Sequence, residues 1–264
     1  MHVSALWRYP VKSCRGHAHA QLTLGPRGFH GDRRWMIVDP DGRFITQRQH
    51  PEMIKVHTWL ESTTETLSLK HKNELIVTTR PPASQPTQTV TVWHDSCLAQ
   101  SASPQVNETL SAWFQRPVTL VYFPDDQERQ VDLTYARRGD QVGFADGFPI
   151  LLTSESSLMA LNQHLSPPIE MERFRANLII TGAEAFAEDD WREVRIGGVT
   201  FEVAKPCARC VIPSINLDTA QKEPHVLEGL RTHRLRDHKV IFGQNLIHRG
   251  KGTLRVGDQV EILA

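Results

Sequence analysis

The sequence predicts a mainly β protein with a few helices, an α+β chain built around barrels. Three observations carry this. Short alternating apolar runs recur along the chain and are divided by Gly, Pro, Asn and Asp. Only three stretches combine helical apolar spacing with a start signal. Many short strands at close spacing suggest barrels.

The elements follow in order. "RRWMIVDPDGRFITQR" (33–48) reads as strand, turn, strand, with Pro40 fixing φ and Gly42 permitting a positive φ in the turn. "ETLSLKHKNELIVTTR" (65–80) repeats that plan around a polar turn, and Leu67 and Leu69 alternate. "PPASQPTQ" (81–88) can be neither helix nor central strand, so it is a loop before the strand 89–93. Ser103 and Pro104 open a helix over 104–115, with Val106, Leu110, Trp113 and Phe114 on one face. A strand at 118–123, a helix at 155–164 and a buried strand at 176–182 come next. Gly197-Gly198 turns a hairpin whose second arm leads directly into Pro206-Cys207. A third helix covers 225–233, and 253–263 reads as a last hairpin turning at Gly257-Asp258. A division near residues 117/118 gives two parts, 1–117 and 118–264.

Composition bounds the function. The 264 residues are 39% hydrophobic and 23% charged, an ordinary globular balance. Thirty Lys plus Arg match thirty Asp plus Glu, which argues against a general nucleic-acid binder. Cys14, Cys97, Cys207 and Cys210 are too sparse for a secreted disulfide scaffold. No apolar run nears the roughly 20 residues of a membrane span. The expectation is a soluble, cytoplasmic protein with no nucleic-acid or membrane partner.

"KPCARCVIPSIN" (205–216) is the stretch that carries chemistry. A structural zinc site needs four ligands, and Cys14 and Cys97 would have to converge on the pair from distant loops. The Pro-Cys-x-x-Cys half of a zinc deaminase signature is present, but the one His-x-Glu, His50–Glu52, lies far upstream with a proline inside it. A thioredoxin-like pair should open a helix, whereas here a hairpin precedes it and "VIPSIN" follows. Two buried cysteines acting as small hydrophobes is the plain alternative. Against it stands Arg209 between the two thiols, an environment suited to a thiolate and an anion.

These residues resemble the signature of the MOSC family, the molybdenum-cofactor sulfurase C-terminal homology group. "LWRYPVKSCRG" (6–16), "GFHGDRRWMIVD" (28–39) and "TQRQHPEM" (46–53) are similar to the family's N-terminal β-barrel domain. "DGFPILLTSESSL" (146–158), "ERFRANLIITGAEAFAEDDW" (172–191) and "VGDQVEIL" (256–263) follow in family order. The resemblance therefore spans nearly the whole chain. It implies a MOSC β-barrel with an N-terminal β-barrel-like domain and a bound molybdenum cofactor (Mo-molybdopterin), with Cys210 as the protein ligand to the metal and the catalytic residue. It places Lys12, Ser13, Arg33, Gly147, Phe148, Arg175, Asn177, Ala208 and Arg209 around the pterin and its phosphate. Arg33 and Arg175 are preferred over Arg34 and Arg173 on motif position alone. The implied activity is reduction of a small N-hydroxylated substrate to an amine. The family also carries a pyridoxal phosphate association. The sequence departs from the family pattern at Ala208, where relatives often carry serine, at Asn245, and at "INLDT" (215–219). No ferredoxin cysteine spacing occurs, so a separate ferredoxin or flavoprotein is the expected electron donor. His30 is the candidate acid, because it directly precedes Gly31-Asp32-Arg33. Two rivals remain open: a persulfide or cofactor carrier of the same family, and a non-catalytic barrel.

Overall fold

The computed structural model describes residues 1–61 and 63–264. The fold is mainly β, as expected, and its strands form four sheets. The largest has nine strands. It runs Val260–Ile262, Glu193–Ile196, Val199–Ala208, Lys239–Arg249, Ile150–Ser154, Leu178–Thr181, His2–Arg8 and His17–His19, with Leu235–Arg236 paired beside Lys239–Arg249. Ile150–Ser154 and Leu178–Thr181 are parallel. Their crossover contains a helix, Glu155–Asn162, the usual connection between parallel neighbours. Trp35–Val38, Thr119–Tyr122, Asp95–Ser101 and Thr87–Val92 form a four-stranded sheet. Two three-stranded sheets complete the set: His57–Glu61 with Thr66–His71 and Glu74–Thr79, and Thr253–Arg255 with Gln21–Gly25 and Gly28–Phe29.

Local signals explain most elements. The first helix, Pro104–Phe114, starts where Ser103 accepts the backbone N–H of Val106, and it ends at Gln115 in a left-handed conformation. The third helix, Pro224–Arg234, also has proline at its start, and it buries Val226 and Leu230. Between Thr66–His71 and Glu74–Thr79, Lys72 supplies the positive φ of the turn. Leu67 and Leu69 then bury on one face with Ile76. The central sheet buries Leu6, Phe29, Leu152, Leu178, Phe201 and Leu246 in one core. Trp35, Ile37, Met53, Leu110 and Leu120 fill a second.

Three expectations need correction. The second arm at 43–48 is not a strand: Asp39 Oδ1 accepts the N–H groups of Asp41 and Arg43, and only isolated bridges from Arg43 and Phe44 follow. The stretch 253–263 is not a hairpin. Thr253–Arg255 pairs with Gln21–Gly25, and Val260–Ile262 pairs with Glu193–Ile196, so the turn at Gly257 carries the chain between two sheets. The loop at 81–88 ends earlier, because Thr87 already pairs with Gln100. The eleven-residue strand Lys239–Arg249 escaped the sequence reading. Its run Ile241 to Gln244 is buried without alternation, which is how a strand covered on both faces reads.

Pairing also crosses residue 117. Thr119–Tyr122 pairs with Trp35–Val38, and His2–Arg8 pairs with Leu178–Thr181. No described helix is long and apolar enough to cross a membrane.

Candidate functional site

Val199–Ala208, Lys239–Arg249, Ile150–Ser154 and Leu178–Thr181 are adjacent in the central sheet. A cleft lies where their ends meet the loops of the first fifty residues, and its empty volume is about 850 Å³ including the open mouth. Val199–Ala208 reaches the cleft through two register shifts, Val203/Lys205 and Pro206/Ala208. Pro206 is tolerated because the neighbour Glu193–Ile196 pairs only as far as Glu202, which leaves an edge. The bulges re-aim the strand end. Cys207, Ala208, Arg209 and Cys210 thereby line the cleft.

All ten residues that the resemblance assigns to the cofactor line this one cleft: Lys12, Ser13, Arg33, Gly147, Phe148, Arg175, Asn177, Ala208, Arg209 and Cys210. Three of them, Ser13, Arg33 and Arg175, hold left-handed backbone conformations with φ of 66°, 45° and 56°. For residues other than glycine such φ values are uncommon, cost roughly 1–3 kcal/mol each, and concentrate at ligand sites.

The contacts of Arg33 and Arg175 fix their aim. Arg33 donates to Asp32 (2.6 Å), to Asn177 Oδ1 (2.9 Å) and to the carbonyl of Arg175 (2.9 Å). Arg175 donates to the carbonyl of Cys14 (2.6 Å). Both guanidiniums lie over the Tyr9 ring, 4.4 and 4.5 Å from its centroid. Asn177 is buried, and its amide also meets Leu151 N and Trp7 O, so it positions Arg33. Arg34 and Arg173 turn elsewhere. Arg34 meets Phe123 and Asp125, and Arg173 meets Glu170 and Glu223.

Electrostatics set the character of the cleft. Lys12, Arg33, Arg48, Arg175 and Arg209 line it, against the single carboxylate of Asp146. Lys12 donates to Phe144 O (2.7 Å) and Asp146 (2.5 Å). Burial lowers the Lys12 ammonium pKa, and Asp146 partly opposes that. Neither Arg175 nor Arg209 has a carboxylate within 4.0 Å among the described residues. Burial, then the neighbouring Arg33, pushes Arg175 down to about 10. Arg209 donates to Cys207 Sγ (3.0 Å) and Phe174 O (2.7 Å), while its buried Nε has no protein partner.

An anionic group suits this lining. A Cβ added at Gly147 would meet no atom within 4 Å, so the backbone there is open to a ligand. Cys207 and Cys210 are free and half-buried, which does not match two core cysteines. Cys14 and Cys97 lie outside the cleft, and the described residues contain no metal-type cluster of three or more His, Cys, Asp or Glu. Burial pushes the Cys14 thiol up to about 12. A phosphate-bearing pterin whose metal needs one soft protein ligand therefore fits the residues present. Pyridoxal phosphate does not, since Lys12, the one lysine of the cleft, has its amine committed to Phe144 and Asp146.

The sequence reading missed Thr46, Arg48 and Asp146 as lining residues, although all three stand inside motifs quoted for the resemblance. His30 is not in the cleft; it lies 3.7 Å from Glu65. Among the described residues no histidine lines the cleft, whereas Asn245 does.

Fold and site together define a mainly β protein with a cationic, thiol-bearing cleft, and the chain belongs to the MOSC family. The MOSC N-terminal beta barrel domain matches residues 1–117 and the MOSC domain residues 139–261. The chain is similar to mitochondrial amidoxime-reducing component 1 of Mus musculus, 33% identical over 281 residues that span 99% of this chain and 82% of the relative. The Homo sapiens protein of the same name is 29% identical, with the same coverage of both chains. Molybdenum cofactor sulfurase of Homo sapiens is 29% identical over 98% of this chain but only 32% of its own length.

Proposed function

We propose that this chain is a molybdenum-cofactor-dependent reductase of N-hydroxylated compounds, with electrons from a separate ferredoxin or flavoprotein. The observation that carries this is the convergence of Cys210, Arg175 and Arg209 in one cleft, two of them cations without carboxylate partners. Likeness to amidoxime-reducing components supports the substrate class. A cytoplasmic setting belongs to the same proposal.

Cys210 would hold the metal, and Arg175, Arg209, Lys12 and Arg33 would neutralise the phosphate and orient the pterin. When bound, the cofactor supplies a two-electron reduction that cleaves the N–O bond, so that a hydroxylamine, two electrons and two protons give an amine and water. Arg209 is held by Phe174 O and Cys207, which keeps positive charge in the cleft that Cys210 also lines. Asp146 fixes the Lys12 ammonium at the cleft wall. Among the described residues no histidine lines the cleft, and solvent at its open mouth would supply the two protons.

The test is metal and pterin content of protein made in a cofactor-replete host, followed by assay with hydroxylamines and amidoximes. About one molybdenum per chain and amine formation are expected. The match to a molybdenum cofactor sulfurase favours one alternative, a persulfide carrier. Sulfane sulfur on Cys210 without molybdenum would select it.

A further inference from the structure

A second cavity of about 580 Å³, or about 1180 Å³ with its open mouth included as for the cleft, adjoins the cleft, and Thr46 and Arg48 line both. That volume suits a small-molecule group. Its walls carry Arg43, Arg48 and Arg116, with Phe44 and Trp93 as the aromatic side. The Arg43 side chain makes no hydrogen bond or ion pair with any described residue, although its backbone closes the turn on Asp39. Arg116 lies 2.7 Å from His50 Nε2 and has no carboxylate partner among the described residues. Burial, then Arg116, lowers the pKa of His50, so the imidazole is a neutral acceptor for that guanidinium. Arg48 stacks over Trp93 at 4.4 Å and is 3.9 Å from Asp146. The remaining acid, Asp39, is occupied by the backbone of Asp41 and Arg43.

Trp93 is the second, independent observation. It is 41% exposed and opens the two-residue turn between Thr87–Val92 and Asp95–Ser101, which sets its φ at 58°. Its indole N–H donates to Asp146 (3.2 Å) and its ring edge-packs on Phe44 at 5.0 Å. A half-exposed aromatic fixed on this turn at the cavity wall is a surface for a planar group.

We infer that this cavity is a substrate subsite for an anionic group, carboxylate or phosphate, attached to a planar ring: the ring rests on Trp93 and the anion meets Arg43 and Arg116. The inference rests on the proposed reductase reading for the identity of the other end of the substrate, the N-hydroxyl group at the cleft.

The test compares benzamidoxime with para-carboxybenzamidoxime, using dithionite-reduced viologen as electron source. Binding of 4-carbamoylbenzoate, which has no N–O bond to reduce, is measured alongside by calorimetry. The carboxylated amidoxime should have the higher kcat/KM through KM. Arg43→Ala combined with Arg116→Ala should cut its preference over the neutral compound roughly tenfold or more, the loss of a charge-assisted hydrogen bond. Binding of 4-carbamoylbenzoate should weaken by a similar factor. Equal kcat/KM for both amidoximes, unchanged in the variant, would overturn the subsite. So would release of a nucleotide with the pterin that the variant no longer retains, since the cofactor itself would then be the occupant. If neither amidoxime is reduced but 4-carbamoylbenzoate still binds through Arg43 and Arg116, the reductase reading fails and the anion subsite stands.

Discussion

Arg33 and Arg175 both lie over the ring of one buried tyrosine, and both line the cleft. Arg175→Ala removes a cation that no carboxylate compensates, so molybdenum loading should fall roughly tenfold or more while the fold persists. Metal analysis with a thermal melt separates the two effects, and unchanged loading removes Arg175 from the site. Cys210→Ser should abolish molybdenum retention, whereas Cys207→Ser should keep most of it; equal loss in both would refute a single thiolate ligand. The sequence could not tell Arg33 from Arg34, or Arg175 from Arg173, by residue type. Position within a motif separated them, and the physical cause lies in partners supplied from distant segments: Asn177 and Cys14 for one pair, Asp125 and Glu223 for the other. Arg48 and Asp146 went unremarked for the same reason, because nothing local marks a residue whose neighbour is about a hundred positions away.

Among the elements, Lys239–Arg249 bears the most on the site, since it pairs with both Val199–Ala208 and Ile150–Ser154. Gly243 within it has φ 78°, and a Cβ there would stand 2.5 Å from the carbonyl oxygen of Leu152. Gly243→Ala should therefore force the two strands apart and destabilise the protein by about 2–4 kcal/mol. A denaturant titration measures the loss, and an unchanged midpoint would show that the strand can flatten its backbone. The first helix was legible because its cap is local, Ser103 with Pro104, whereas the third begins at Pro224, one residue before the expected 225. Strand partners were less so. "TLRVGDQVEIL" has the alternation and turn of a hairpin, yet its two arms find partners in different sheets. Alternation states which face is buried and leaves the neighbour open.

At the scale of the molecule, burial holds five histidines, His17, His19, His50, His57 and His71, below their ordinary pKa. His19 reaches about 4, through burial and then the charges of Arg8 and His17. The unfolded chain then binds more protons than the folded one between about pH 6.5 and 4, so stability should fall as pH drops through that window. Melting temperatures at pH 7.5, 6, 5 and 4.5 test this, and a flat profile down to pH 4.5 would contradict it. The rings of His17 and His19 lie 4.3 Å apart, with Trp59 near His17 and His57, so replacing His19 with Gln should flatten part of the fall. The pairing of His2–Arg8 with Leu178–Thr181 has a consequence during synthesis. The strand His2–Arg8 leaves the ribosome about 170 residues before its antiparallel partner, a wait on the order of ten to thirty seconds at ordinary ribosome speeds. Until then Val3 and Leu6 have no sheet neighbour on that side, and the nascent chain presents an apolar edge that chaperones would have to shield.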